Sequence, residues 1–268
     1  MRLAWLTDLH LNFLPADRIE WFFNQVERQR PDAFVITGDF SEAHEVIPLL
    51  EWLGRSWKQP IYYVLGNHDY YGGSIREIRA AATELSTRLP RLQYLTSLAQ
   101  PVALTPRVAL VGHDGWADGR VGDYERSMVM MNDYKLIAEL SGHTKLSRWP
   151  ILRQLGLEGA EHLRTQLPLA CRMAGHILVA THYPPLREAC WHEGTLSDDE
   201  WAPHFTCLAM GEALLEVAAE HPQHLFTVLC GHTHSPGECR PLPNLHIMTG
   251  GARYGAPTIC KMLNLEGW

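Results

Sequence analysis

Residues 61–69, Ile61-Tyr62-Tyr63-Val64-Leu65-Gly66-Asn67-His68-Asp69, pass from five apolar positions through a glycine into an amide, an imidazole and a carboxylate. Before Gly66 nothing titrates near neutral pH; after it every side chain can bind a metal or handle a proton. Four other apolar runs end the same way. Leu3 to Leu6 leads into Asp8 and His10, Ala33 to Thr37 into Gly38-Asp39, Ile177 to Thr181 into His182, and Phe226 to Cys230 into Gly231-His232-Thr233-His234. Short apolar runs closed by such residues suit buried strands. Between them, Ile19, Phe22, Phe23 and Val26, and later Ile75, Ile78, Ala82, Leu85 and Leu89, repeat at the spacing of an amphipathic helix. Strands alternating with helices predict an α/β fold with parallel strands, whose ligand site lies at the C-terminal ends of those strands.

Several finer expectations follow. In an extended segment Asp8 and His10, two apart, point to one side and can grip one metal. Asp17 with Glu20 resembles a capping box. Gly38 lets the backbone turn sharply and bring Asp39 close to a cation. Residues 46–53 read as a short helix in which Pro48 fits only the first turn. Residues 92–112 read as short strands broken by Pro101, Thr105 and Pro106, the last running into His113-Asp114. There His113 is either a substrate contact or a turn residue satisfied by Asp114. Residues 115–170 are expected to be mainly helical, with Met128, Met130, Met131, Tyr134 and Trp149 forming either core or a helical cap over the site. Residues 186–205 lack periodicity and leave the same sheet edge, which suggests a substrate-facing rim. In the tail, two strands flank a glycine-rich loop carrying Arg253, which is either a fixed cation near a substrate phosphate or a solvated turn residue.

The 268 residues are 46% hydrophobic, enough for one large α/β domain, and ligand-type residues spread from Asp8 to His234 favour a single domain over 1–268. A net charge of −7 and a pI near 6.1 offer no footprint for nucleic acid, so a nucleic-acid partner is not expected. Six cysteines without C-x-x-C spacing are expected to be free thiols. Asp8 and His10 interrupt the first apolar stretch, and no run reaches transmembrane length, so the expectation is a cytoplasmic protein with no membrane partner. Nothing indicates an oligomeric state.

Together, Asp8-x-His10, Gly38-Asp39, Gly66-Asn67-His68-Asp69, His182 and Gly231-His232-x-His234 resemble the five ordered motifs of the calcineurin-like metallophosphoesterase superfamily, across residues 8–234. The resemblance implies a four-layer sandwich of two mixed β-sheets flanked by helices. It implies two divalent metal ions (manganese, iron, zinc or magnesium), one held by Asp8, His10 and His234, the other by Asn67, His182 and His232, with Asp39 bridging. It further implies hydrolysis of a small phosphomonoester or phosphodiester by a metal-bridging hydroxide, with His68 as general acid and Glu42 or its rival Asp69 orienting that histidine. Neutral imidazoles and hard oxygen donors suit such metals independently of the resemblance. The alternatives are a nuclease, which would want basic residues beside the site, and a non-catalytic scaffold, against which all seven intact ligand positions and His68 argue.

Overall fold

Each apolar run is long enough to cross a domain, and alternate residues of a strand face opposite ways. Residues 1–268 are described by a computed structural model. The first half of the chain forms β1 (Arg2–Leu6), α1 (Ala16–Arg28), β2 (Ala33–Thr37), α2 (Ala43–Ser56), β3 (Ile61–Val64), α3 (Ile75–Arg88) and β4 (Leu92–Tyr94). The second half begins with β5 (Val102–Thr105), β6 (Val108–His113), α4 (Asp133–Leu136), α5 (Lys145–Cys171) and β7 (His176–Thr181). It continues through the small hairpin β8 (Trp191–His192) and β9 (Thr195–Leu196), α6 (Ala202–Phe205), α7 (Leu208–Glu220), β10 (Leu225–Cys230), β11 (Gly237–Leu242), β12 (Leu245–Thr249) and β13 (Lys261–Asn264). One sheet has the order β13-β1-β2-β3-β4, the other β11-β12-β10-β7-β6-β5. Both are mixed: β13, β11 and β5 run antiparallel to their neighbours while the central strands are parallel.

The side chains sort by parity into two cores. Leu3, Trp5, Val35, Tyr62 and Val64 of the first sheet join Leu110, Leu178, Ala180 and Leu229 of the second in a cluster of 15 buried residues between the sheets. Their neighbours Ala4, Leu6, Phe34, Ile36, Tyr63, Val111, Val179 and Val228 face outward onto helices in a cluster of 57. The result is helices, sheet, sheet, helices. With β2 packed across the gap from β7, the central strands of the two sheets end at one edge. No helix is long and apolar enough to cross a membrane.

Four local expectations need correction. Residues 115–132 are irregular rather than helical, because Gly115, Gly119 and Gly122 adopt positive φ and buried Asp118 accepts a hydrogen bond from Ala209 N at the start of α7. The long helix α5 belongs to the outer layer, on β6 and α7, so only the stretch near Met131 and Asp133 approaches the site. Helix α2 begins at Ala43, which puts Pro48 in its second turn, and α1 starts after Pro15 without a side-chain cap from Asp17. Strand β1 stops at Leu6, and Asp8 and His10 have φ of 47° and 43°, so their convergence is made by a left-handed turn rather than an extended segment. All six cysteines are free.

Candidate metal centre

The strand ends deliver their polar residues in a strained conformation. Asp8, His10, Asp39, His232 and His234 all have positive φ, five of the seven residues named above as metal ligands. A left-handed non-glycine residue costs roughly 1–2 kcal/mol, less than the roughly 1.5–3 kcal/mol gained by burying one Leu or Val in the strand before it. The core therefore holds the strain, and such strain gathers at functional sites. Asp8 N donates to Gly38 O at 3.0 Å and His10 N to Asp39 O at 2.9 Å, so the two turns brace each other. Gly38, at φ 93°, leaves no room for a side chain: a Cβ there would lie 2.6 Å from Gly66 N and 2.7 Å from His182 Nδ1.

The site has two lobes. In the first, donor atoms of Asp8, His10, Asp39 and His234 lie within 4.8 Å of one another. His10 Nε2 faces His234 Nε2 at 2.9 Å, and His234 Nε2 lies 3.4 Å from Asp8 Oδ1. In the second, Asn67 Oδ1 lies 3.0 Å from His182 Nε2 and 2.9 Å from His232 Nδ1. Asp39 Oδ2 reaches both lobes, 3.6 Å from His10 Nε2 and 3.5 Å from His182 Nε2.

Hydrogen bonds behind the second lobe decide which atoms face in. His182 Nδ1 donates to Thr37 O at 2.8 Å, which leaves its Nε2 with a lone pair. The Asn67 amide nitrogen donates to Asp133 Oδ1 at 2.9 Å and Tyr71 Oη at 3.0 Å, which turns Oδ1 inward. An acceptor thus confronts an acceptor at 3.0 Å with no proton to share, an arrangement that a cation between them resolves. The donor set of imidazole nitrogens and carboxylate and amide oxygens fits a hard or borderline divalent metal.

Electrostatics agree with this fit. Burial, and then the neighbouring imidazoles, push His10 down to about 2 and His68 to about 3, while burial also lowers His182 and His232, so the rings are neutral and their lone pairs free. Burial and the Asp8 and Asp69 carboxylates raise Asp39 well above its usual range. Burial opposes the ionisation of Asp8, but its hydrogen bond to His234 and the surrounding rings win and hold it low. The protein has gathered carboxylates here with too little positive charge of its own.

A cavity of ≈ 240 Å³ opens over the centre, lined by Asp39, Asn67, His68, Met131, His192, Phe205, His232, Thr233, His234 and Tyr254, and by no Lys or Arg. His68 forms part of its wall, its ring 4.5 Å from His10 and 4.3 Å from Tyr71. The carboxylates expected beside His68 are elsewhere engaged. Asp69 is fully buried and accepts from Asp39 N, Gly66 N, Phe40 N and Ser41 N, which shapes the turn rather than the imidazole. Glu42 stands at the N-terminus of α2 with Asn12 Nδ2 at 3.4 Å.

His113 is not brought to the cavity: it is buried beside His162 and accepts from Gly115 N at 3.0 Å. Its neighbour Asp114 instead accepts from Leu65 N, Tyr70, Arg79, Tyr94 and Thr96, tying the end of β3 in place. Arg253 is exposed, while the adjacent Tyr254 closes one wall, 4.4 Å from the His10 ring. From residues 186–205, His192 and Phe205 reach the cavity. Tyr254 and Asp133 are the site residues that sequence reasoning passed over; neither sits in a repeated pattern.

Two sheets abutting at an edge where histidines and carboxylates converge define a metal-dependent hydrolase of the α/β sandwich class. The chain belongs to the calcineurin-like phosphoesterase family, whose sequence profile matches residues 1–236, and it is a phosphoric ester hydrolase. Among solved structures it is similar to the phosphopantetheinyl hydrolase from Mycobacterium tuberculosis, at 14% identity over 93% of this chain and 89% of that one, with a TM-score of 0.61. It is also similar to a dimetal phosphatase from Danio rerio, at 16% identity over 94% and 87% of the two chains, with a TM-score of 0.55. These likenesses establish the fold. No curated protein matches the chain.

Proposed function

We propose that the protein hydrolyses a small phosphomonoester or phosphodiester with two divalent cations. Asp8, His10 and His234 would hold one and Asn67, His182 and His232 the other, with Asp39 in reach of both. The observation that carries this is Asp39 Oδ2, set 3.6 and 3.5 Å from one histidine of each lobe. When bound, the metal pair supplies Lewis acidity that lowers the pKa of water and neutralises phosphoryl charge. The chain's own residues supply the rest. A cavity with acidic groups and no Lys or Arg repels a phosphate unless cations are bound, which supports metal dependence and disfavours a nuclease. Its volume, just under the usual range of small-molecule sites, suits an ester that inserts only its reacting end.

His68 lines the cavity, within reach of a group bound there. Burial keeps its ring neutral in the free protein, and a phosphoryl dianion beside it favours the imidazolium, which can then give its proton to the departing oxygen. Tyr254 and Phe205 flank the entrance and hold the organic part of the ester away from water. The test is metal content after loading with excess manganese, together with hydrolysis of aryl phosphate mono- and diesters. Two metals per chain are expected in the wild type, and Asp39→Asn should lose occupancy at both positions. One metal or none in the wild type refutes the reading.

A further inference from the structure

A second group of metal-type donors lies at the opposite edge of the second sheet. Cys171 ends α5, His221 caps the C-terminus of α7, and His224 follows three residues later, just before β10. One donor atom from each lies within 4.8 Å of the other two. Bond lengths of ~2.0–2.3 Å to zinc give tetrahedral ligand–ligand edges of roughly 3.5 Å, a contraction of about an ångström that side-chain rotation can supply.

Three features point to a cation there. His224 Nε2 donates to the Cys171 carbonyl at 2.9 Å, the backbone hydrogen bond by which metal-bound histidines are usually held. That bond leaves Nδ1 with a lone pair, and Nδ1 is buried with no hydrogen-bond partner. Finally, α5 and α7 pack side by side and present both C-termini at this place, and the negative ends of their dipoles favour positive charge. The catalytic histidines His182 and His232 follow the far ends of β7 and β10, six-residue strands whose other ends lie beside this cluster. Six residues of strand separate the two places by about 20 Å.

We propose that Cys171, His221 and His224 form a second metal site, for zinc or another thiophilic ion, with its fourth position open to water. The donor set of one sulfur and two nitrogens is that of a borderline-soft cation, unlike the catalytic centre, which has no sulfur donor. Bound metal would pin the ends of the two outer helices to each other.

Cobalt(II) separates the sites, because a sulfur-to-cobalt charge-transfer band in the near ultraviolet requires a thiolate, and none of the catalytic donors is one. Protein loaded with manganese and titrated with cobalt should develop this band, and zinc should abolish it. Cys171→Ala and His224→Gln should each lose the band while manganese-supported hydrolysis stays within twofold of wild type. His221→Gln provides the same readout from a partly exposed side chain if Cys171→Ala folds poorly. No band in the wild type, or a band that survives any of these substitutions in folded protein, overturns the proposal.

Discussion

Asp133 is the group that aims Asn67. Its buried Oδ1 accepts from the Asn67 amide at 2.9 Å and from the Tyr71 hydroxyl at 2.6 Å, and Asn67 Oδ1 consequently faces His182 and His232. In Asp133→Ala, Asn67 keeps one donor contact, to Tyr71 Oη at 3.0 Å, but the Tyr71 hydroxyl loses its acceptor and the amide is free to rotate. Removing a group that orients a ligand typically lowers metal affinity ~10–100-fold, or about 1.4–2.8 kcal/mol of binding free energy. An orphaned buried hydroxyl costs about 1–3 kcal/mol of folding stability besides. The loss should be confined to the Asn67, His182 and His232 position, because the other lobe does not touch Asp133. Calorimetric titration of metal-free protein should therefore resolve two affinities in the wild type and a selective fall of the second in the variant. At saturating metal, kcat should return towards wild type. Asp133→Asn, which retains an acceptor oxygen, should lie in between. If Asp133→Ala binds both metals with wild-type affinity, Tyr71 alone orients Asn67 and the reasoning fails.

Three further outcomes are expected. His68→Ala should keep both metals yet lose ~10²–10⁴ in rate on an alkyl phosphate, and far less on a nitrophenyl ester whose leaving group needs little protonation; equal losses on the two would remove its role as an acid. Gly66→Ala should destabilise the fold by about 1–3 kcal/mol in denaturant melts, because a Cβ would meet His182 Cε1 at 2.6 Å and Asp39 N at 2.7 Å; a wild-type melt would mean that these turns are loosely packed. Burial holds His113 at about 3, below its usual 6.5, so between those values the unfolded chain takes up a proton that the folded one does not. Stability from this residue is complete above pH 6.5 and declines as pH falls towards 3, by on the order of a few kcal/mol. His113→Gln should flatten that acid slope in melting temperature and leave kcat/KM unchanged, whereas a loss of activity without the stability effect would return His113 to the substrate.

The strand-end motifs were legible because each places polar ligands directly after a fully apolar run, a contrast that needs no tertiary information. The pairing of the sheets was not, because the runs in both sheets are buried on two faces and only the folded chain sorts Leu3 from Ala4, or Leu178 from Val179, into separate cores. Asp69 shows a second limit. A carboxylate within Gly66-Asn67-His68-Asp69 reads as acid, base or ligand, yet its oxygens close on four backbone amides, and composition cannot say which way a side chain turns. Asp133 shows a third, since it opens the short α4 directly after an irregular stretch set by positive-φ glycines and by Asp118 clasping α7. The Asp8 and His10 pair is the most instructive. The two-residue spacing suggested a shared strand face, but both residues are left-handed. A chain that turns back within two residues of the strand end sets the direction of each ligand by its backbone, and the ring or carboxylate has few rotamers left to choose. The preorganisation of the centre thus resides in the main chain. Truncating one of these side chains leaves the strained turn in place, so such a change should reduce metal affinity well before it unfolds the protein.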